Sequence, residues 1–159
     1  MHVLMTGAAG MIGRKLTERL VKDGKLNGKP VDRLTLIDVV PPEKPQGYSG
    51  TVEAATSDLS TPGAAAKAVG GKPDVIFHLA GVVSGEAETD FEKGYRVNLD
   101  TMLYLLKAIH AAGGGYHPKL VFTSSIAVFG APFPSEIPDN FFHTPLTSYG
   151  AQKGICELP

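Results

Sequence analysis

Short apolar runs alternate along this chain with longer stretches whose apolar residues recur every three to four positions. His2 to Thr6 reads as a strand, and Met11 to Lys22 as a helix with Ile12, Leu16, Leu20 and Val21 on one face. Arg33 to Val39 is a second strand and Thr51 to Ala55 a short third, followed by an alanine-rich helix over Pro62 to Val69. Asp74 to Ala80 is a fourth strand, Phe91 to Ala112 one long helix, and Lys119 to Ser124 a fifth strand. A proline-rich loop then leads to a helix that begins near Tyr149. Strands apolar on both faces and spaced by helices predict a parallel sheet covered on both sides. Right-handed crossovers make that a doubly wound α/β fold of Rossmann type, with ligands at the carboxyl ends of the strands. Chemistry is therefore expected in the loops after Thr6, Asp38, Leu79 and Ser124. The stretch from Asp23 to Asp32, with Gly24, Asn27, Gly28 and Pro30, reads as a loop insertion. Glu86, Glu88, Asp90 and Glu92 read as a solvated loop and helix N-terminus.

The chain has 159 residues, enough for one domain with a sizeable core. Hydrophobic residues make up 43%, charged residues 19%, and the formal charge is −1, which offers no basic field for nucleic acid or an anionic membrane. No apolar run approaches a membrane span, and the opening residues lack the basic flank of a signal peptide. One cysteine, Cys156, excludes an internal disulfide and fits a reducing cytosol, so a cytoplasmic protein is expected. It has no paired base in sequence, and packing or surface is its expected role. The five histidines show no metal-ligand spacing; no metal is expected, and His78 in its apolar strand reads as a hydrogen-bonded core residue.

Gly7, Gly10 and Gly13 stand between the first strand and the first helix. Such a turn lets a pyrophosphate approach the backbone and points the helix N-terminus at the phosphates. Asp38 ends the second strand, where a carboxylate accepts hydrogen bonds from an adenosine ribose and repels a 2′-phosphate, favouring NAD over NADP. Tyr149 and Lys153 lie four apart on a helix and share one face. A tyrosine with an ordinary pKa of about 10 must shift by roughly 3 units, about 4 kcal/mol, to act as a base near neutrality. One ammonium at ~4 Å supplies that much at an effective dielectric of ~20. Thr123, Ser124 and Ser125 bring hydroxyls to the end of the fifth strand.

Taken in order, these motifs resemble the short-chain dehydrogenase/reductase superfamily, in its extended, epimerase-like branch. TGAAGMIG over residues 6–13 is similar to the branch's glycine turn, so that Gly7, Gly10, Met11, Ile12 and Gly13 would bind the cofactor. Asp58 and Leu59 resemble the acidic–apolar pair near the adenine. His78-Leu79-Ala80-Gly81 resembles the stretch after the fourth strand, placing Leu79, Ala80 and Gly81 along the cofactor. Asn98 resembles a helix asparagine that is structural or relays a water, with Met102 where a small residue is usual. Residues 124–130 resemble SSxxVYG, with Phe129 in the tyrosine's place, a change expected to affect packing only.

The resemblance implies an NAD-dependent oxidoreductase with a Ser/Tyr/Lys site. It would oxidise the hydroxyl of a small hydroxy acid such as D-erythronate. Tyr149 would take the hydroxyl proton, Lys153 would tune Tyr149 and hold the nicotinamide ribose, and Ser125, ahead of Ser124, would orient the substrate oxygen. Ser84 is a candidate substrate contact. An L-threonine dehydrogenase, a nucleotide-sugar epimerase and an NAD-binding module without turnover are the alternatives. The branch's members run about as long again, so residues 1–159 are expected to be the NAD-binding domain of a longer protein, without its C-terminal strands and substrate domain. Such a piece would bind NAD weakly and turn over slowly or not at all. The helices after Phe91 and at Tyr149 imply a homodimer.

Overall fold

The computed structural model describes residues 1–158 as two compact units. The first comprises Met1–Ala80 and Tyr104–Thr123; the second takes Gly81–Leu103 and the described residues from Ser124 onward.

Five parallel strands form the sheet of the first unit: β1 (His2–Thr6), β4 (Arg33–Asp38), β5 (Thr51–Thr56), β6 (Val75–His78) and β7 (Lys119–Phe122). Their order is β5-β4-β1-β6-β7, in a register that pairs Val3 with Leu34 and Val75. Successive residues of a strand face opposite ways, so β1 sends Leu4 to one side and Val3 and Met5 to the other. On the Leu4 side, Ile37 and Ile76 pack with Ala65, Ala68 and Val69 of α2 (Ala64–Val69). Leu105 and Ala108, from the helix that leads back into the sheet, join them. On the other side, Leu34 and Leu36 pack with Leu20 of α1 (Met11–Asp23). Two covered faces and this strand order make a Rossmann-type, doubly wound sheet.

Asp23 to Asp32 is more ordered than a plain insertion. Gly24, left-handed at φ 61°, ends α1, and its N–H bonds the Leu20 carbonyl at 2.9 Å. A two-strand hairpin then follows, β2 (Lys25–Leu26) and β3 (Lys29–Pro30). Its turn residues, Asn27 and Gly28, both have positive φ, the requirement of a tight hairpin turn with right-handed twist. Leu26 and Val31 pack on the core. His78 is fully buried and pairs through Nδ1 with the Thr6 hydroxyl at 2.7 Å, as its apolar strand implies.

In the second unit, the acidic stretch folds as α3 (Ser84–Thr89), held by buried Ala87, and α4 (Phe91–Gly94) follows at once, capped by Asp90. The expected long helix is interrupted. Tyr95–Asp100 winds as a π-helix before α5 (Thr101–Ala111) resumes. Asn98 in that wider turn is buried. A short 3-10 turn (Ile126–Val128) follows the fifth strand's loop, and α6 (Ser148–Ile155) carries the Tyr149 motif. Phe129 packs edge-on to the rings of Phe141 and His143.

Candidate active site

The residues singled out from the sequence fall into two sets, one in each unit. In the first unit the glycine turn is tightly closed. Gly7 has φ 72°, and a Cβ there would stand 2.6 Å from the Ala80 nitrogen; one at Gly13 would stand 2.3 Å from the Gly7 carbonyl oxygen. Only glycine permits these approaches, which draw the turn, the first turn of α1 and the chain after β6 together. The Asp38 carboxylate accepts from the Ala9 N–H at 2.9 Å and the Val40 N–H at 3.3 Å, so it also fixes the turn it would serve. Leu79 and Ala80 are half-buried beside Gly7. Asp58 is exposed and accepts from the Ser60 N–H and hydroxyl, whereas Leu59 is buried in the core.

This turn fits a dinucleotide. Gly10 supplies no side-chain cap to α1, and the first turn of that helix holds no acidic residue, an arrangement that suits an anionic ligand at the helix N-terminus. Met11 and Ile12 are 64% and 52% exposed at that end, an apolar surface at the helix N-terminus. A phosphate at such a terminus gains about 0.3–1 kcal/mol, up to ~2 when partly buried.

In the second unit α6 is anchored at its start. The Thr147 hydroxyl caps it by accepting from the Gly150 N–H at 3.0 Å. One oxygen of Glu88 accepts from the Tyr149 N–H and from the Ser148 hydroxyl, each at 2.8 Å, and these bonds hold the Glu88 carboxyl below the usual carboxylate range. Gly150 then packs on the 3-10 turn, since a Cβ there would lie 2.1 Å from the Ala127 carbonyl oxygen. Ser125 caps that turn by accepting from the Ala127 N–H at 3.2 Å, which leaves its O–H free to donate. Ser124, by contrast, donates to Glu157.

Lys153 is 5% exposed, and its Nζ lies 5.8 Å from the centroid of the Tyr149 ring. Burial lowers its pKa, with Cys156 opposing the shift. Asn98 Oδ1 accepts from the Val82 N–H at 2.9 Å, and Asn98 Nδ2 donates to Gln152 Oε1 at 2.8 Å. A Cβ on Gly81 would meet Asn98 Oδ1 at 2.9 Å and Lys153 Nζ at 3.3 Å, so Gly81, Asn98 and Lys153 converge. Ser84 is exposed at the start of α3. Cys156 is buried, burial raises its thiol, and it donates to the Asn98 carbonyl at 3.5 Å. That is a packed residue. Gln152 and Glu88 were missed as parts of this set because their partners lie 54 to 61 residues away in sequence. Among the described residues no cluster of His, Cys, Asp or Glu could hold a metal, and no helix is long and apolar enough to cross a membrane.

A doubly wound sheet with a glycine turn, and a helix pairing tyrosine with a buried lysine, define a dinucleotide-dependent enzyme class. The chain belongs to the NAD dependent epimerase/dehydratase family, whose model matches residues 3–158. It is 45% identical over 163 residues to a D-erythronate dehydrogenase of Cupriavidus necator, covering 99% of this chain and 49% of that protein. A crystal structure described as a nucleoside-diphosphate-sugar epimerase from Agrobacterium tumefaciens superposes with TM-score 0.97 at 66% identity, covering 99% of this chain and 47% of that one. A uronate dehydrogenase from Agrobacterium tumefaciens, a point mutant complexed with NAD, superposes with TM-score 0.78 at 30% identity over 98% of this chain and 53% of its own. The chain thus spans about half the length of the relatives it matches.

Proposed function

We propose that this chain is the cofactor-binding and proton-transfer part of an NAD-dependent oxidoreductase that oxidises the hydroxyl of a small hydroxy acid such as D-erythronate. The observation that carries the reading is the buried Lys153 ammonium beside the Tyr149 ring. Gly7, Gly10, Met11, Ile12 and Gly13 would hold the pyrophosphate, and Asp38 the adenosine ribose. Bound NAD supplies the hydride acceptor, which no amino-acid side chain provides. Tyr149 takes the proton of the substrate hydroxyl. The Lys153 cation, 5.8 Å from the centre of the Tyr149 ring, stands where it would stabilise the negative charge that gathers on the phenol oxygen. Burial keeps that charge from being screened by water. The Ser125 hydroxyl, its oxygen engaged by the Ala127 N–H, turns its proton toward the substrate oxygen and orients it. The proposal extends to a cytoplasmic homodimer.

Similarity to D-erythronate dehydrogenase over nearly the whole chain supports the hydroxy-acid substrate. The 66% identity to a protein described as a nucleoside-diphosphate-sugar epimerase supports a second reading, in which the same pair acts on a sugar nucleotide. NADH formation with a panel of small hydroxy acids, run beside epimerisation of sugar nucleotides, separates the two. NADH formation with at least one hydroxy acid is expected; epimerisation alone would overturn the hydroxy-acid reading.

A further inference from the structure

Gln152 is fully buried on α6, three residues from Tyr149 and next to Lys153. A primary amide taken out of water must be hydrogen-bonded or cost stability, so its partners matter. The Val82 N–H can only donate, which makes the Asn98 atom facing it the oxygen and leaves Asn98 Nδ2 to donate to Gln152. The Gln152 atom at 2.8 Å is therefore Oε1, and its nitrogen faces Gly94 and Ser148. Room for that nitrogen exists only because residue 94 is glycine: a Cβ there would stand 2.9 Å from Gln152 Nε2. The π-helical turn carries Asn98, and Glu88 and Thr147 hold the start of α6. Through Gln152, the middle of α6 is tied to buried Asn98.

We propose that Gln152 is a positioning residue: its amide, locked to Asn98 in a socket that Gly94 leaves open, fixes where the Lys153 ammonium stands over the Tyr149 ring. This rests on the reading of Tyr149 and Lys153 as the proton-transfer pair. An uncharged amide suits the task, because a carboxylate there would draw the Lys153 charge to itself. Gln152→Met keeps the length of the side chain and removes the acceptor. Gly94→Ala keeps Gln152 and displaces its amide; the new Cβ also crowds Ala87 Cβ at 3.0 Å, while alanine is the better helix former in α4.

The test is steady-state oxidation of the hydroxy acid across pH, in the natural protein that carries this sequence, with thermal unfolding measured alongside. A misplacement of the order of 1 Å can cost up to about 100-fold, so kcat for Gln152→Met is expected to fall roughly 10- to 100-fold. KM for NAD should stay within about twofold. If Lys153 withdraws, the acid limb of the pH profile moves up. Gly94→Ala should show a smaller change in the same direction. A residue with a merely structural role would lower the folded fraction and leave the pH limb in place. Folded Gln152→Met with the parent's kcat and pH limb overturns the inference. Should that variant not fold, Gly94→Ala decides alone, and parental kcat and pH limb there overturn it equally. A parent without any turnover removes the underlying reading and this inference with it, an outcome distinct from either.

Discussion

Replacing Gly13 by alanine probes the glycine turn most sharply. The added Cβ would stand 2.3 Å from the Gly7 carbonyl oxygen, 2.7 Å from Ala8 Cα and 2.8 Å from the Ala8 carbonyl oxygen. All three are backbone atoms, so no side-chain rotation relieves the overlap. The first turn of α1 must withdraw by roughly 1 Å, since carbon atoms pack favourably only at about 3.5–4.0 Å. Overpacking of this kind costs about 1–3 kcal/mol, and three simultaneous contacts favour the upper end. Alanine returns up to ~1 kcal/mol through helix propensity. A net loss of about 2 kcal/mol lowers Tm by roughly 4–8 °C in a chain of this size. The same withdrawal carries the first-turn N–H groups away from a pyrophosphate, and a loss of about 1.4 kcal/mol there is tenfold in Kd. Thermal unfolding with and without NAD, joined to calorimetric titration, reads both effects. Gly85→Ala is the control: it lies in α3 with no heavy atom within 4 Å of a built Cβ, and its Tm should hold or rise. A Gly13→Ala protein with parental Tm and parental NAD affinity would refute the reasoning.

Asp38→Asn keeps an acceptor at the end of β4 and removes the charge that would oppose a 2′-phosphate. The ratio of NADPH to NADH affinity, measured by fluorescence titration, should rise roughly tenfold, the lower end of what one unit charge exerts at ~4 Å; an unchanged ratio counts against Asp38 as the ribose partner. His2 gives a stability prediction. Its ring bonds the Thr35 hydroxyl at 2.8 Å and the Gly71 carbonyl at 3.3 Å, and burial lowers its pKa below the ordinary value. Its contribution is therefore full above about pH 6.5 and is lost as pH falls through the lower folded value. Tm should drop between about pH 7 and pH 5, and His2→Gln should flatten that part of the curve. Equal slopes for parent and variant would contradict it.

Much of the sheet was legible because its residues obey a period of two with both faces apolar: Leu34 and Leu36 turn one way, Ile37 the other. The Tyr149–Lys153 face was legible too, since four residues make about one helical turn. Other features were not. The hairpin at Lys25–Pro30 carried its signal in Asn27-Gly28, whose paired positive φ angles are the mark of a tight turn, but two-residue strands offer no periodicity to read. α3 hid because SGEAET has one apolar residue, Ala87, and owes its place to packing. The burial of Gln152 and Lys153 and the role of Glu88 depend on partners far along the chain. Helical spacing gives a face, and only the tertiary structure says what that face meets.

Tyr149→Phe is the most direct test of the proton-transfer claim, because it deletes one oxygen from a half-buried ring and leaves the glycine turn untouched. NADH formation from the hydroxy acid should fall about 10²–10⁴-fold, the usual worth of a positioned general base, while NAD affinity stays within a few-fold of the parent. Equal turnover by the variant and the parent would remove Tyr149, and with it the proposed mechanism.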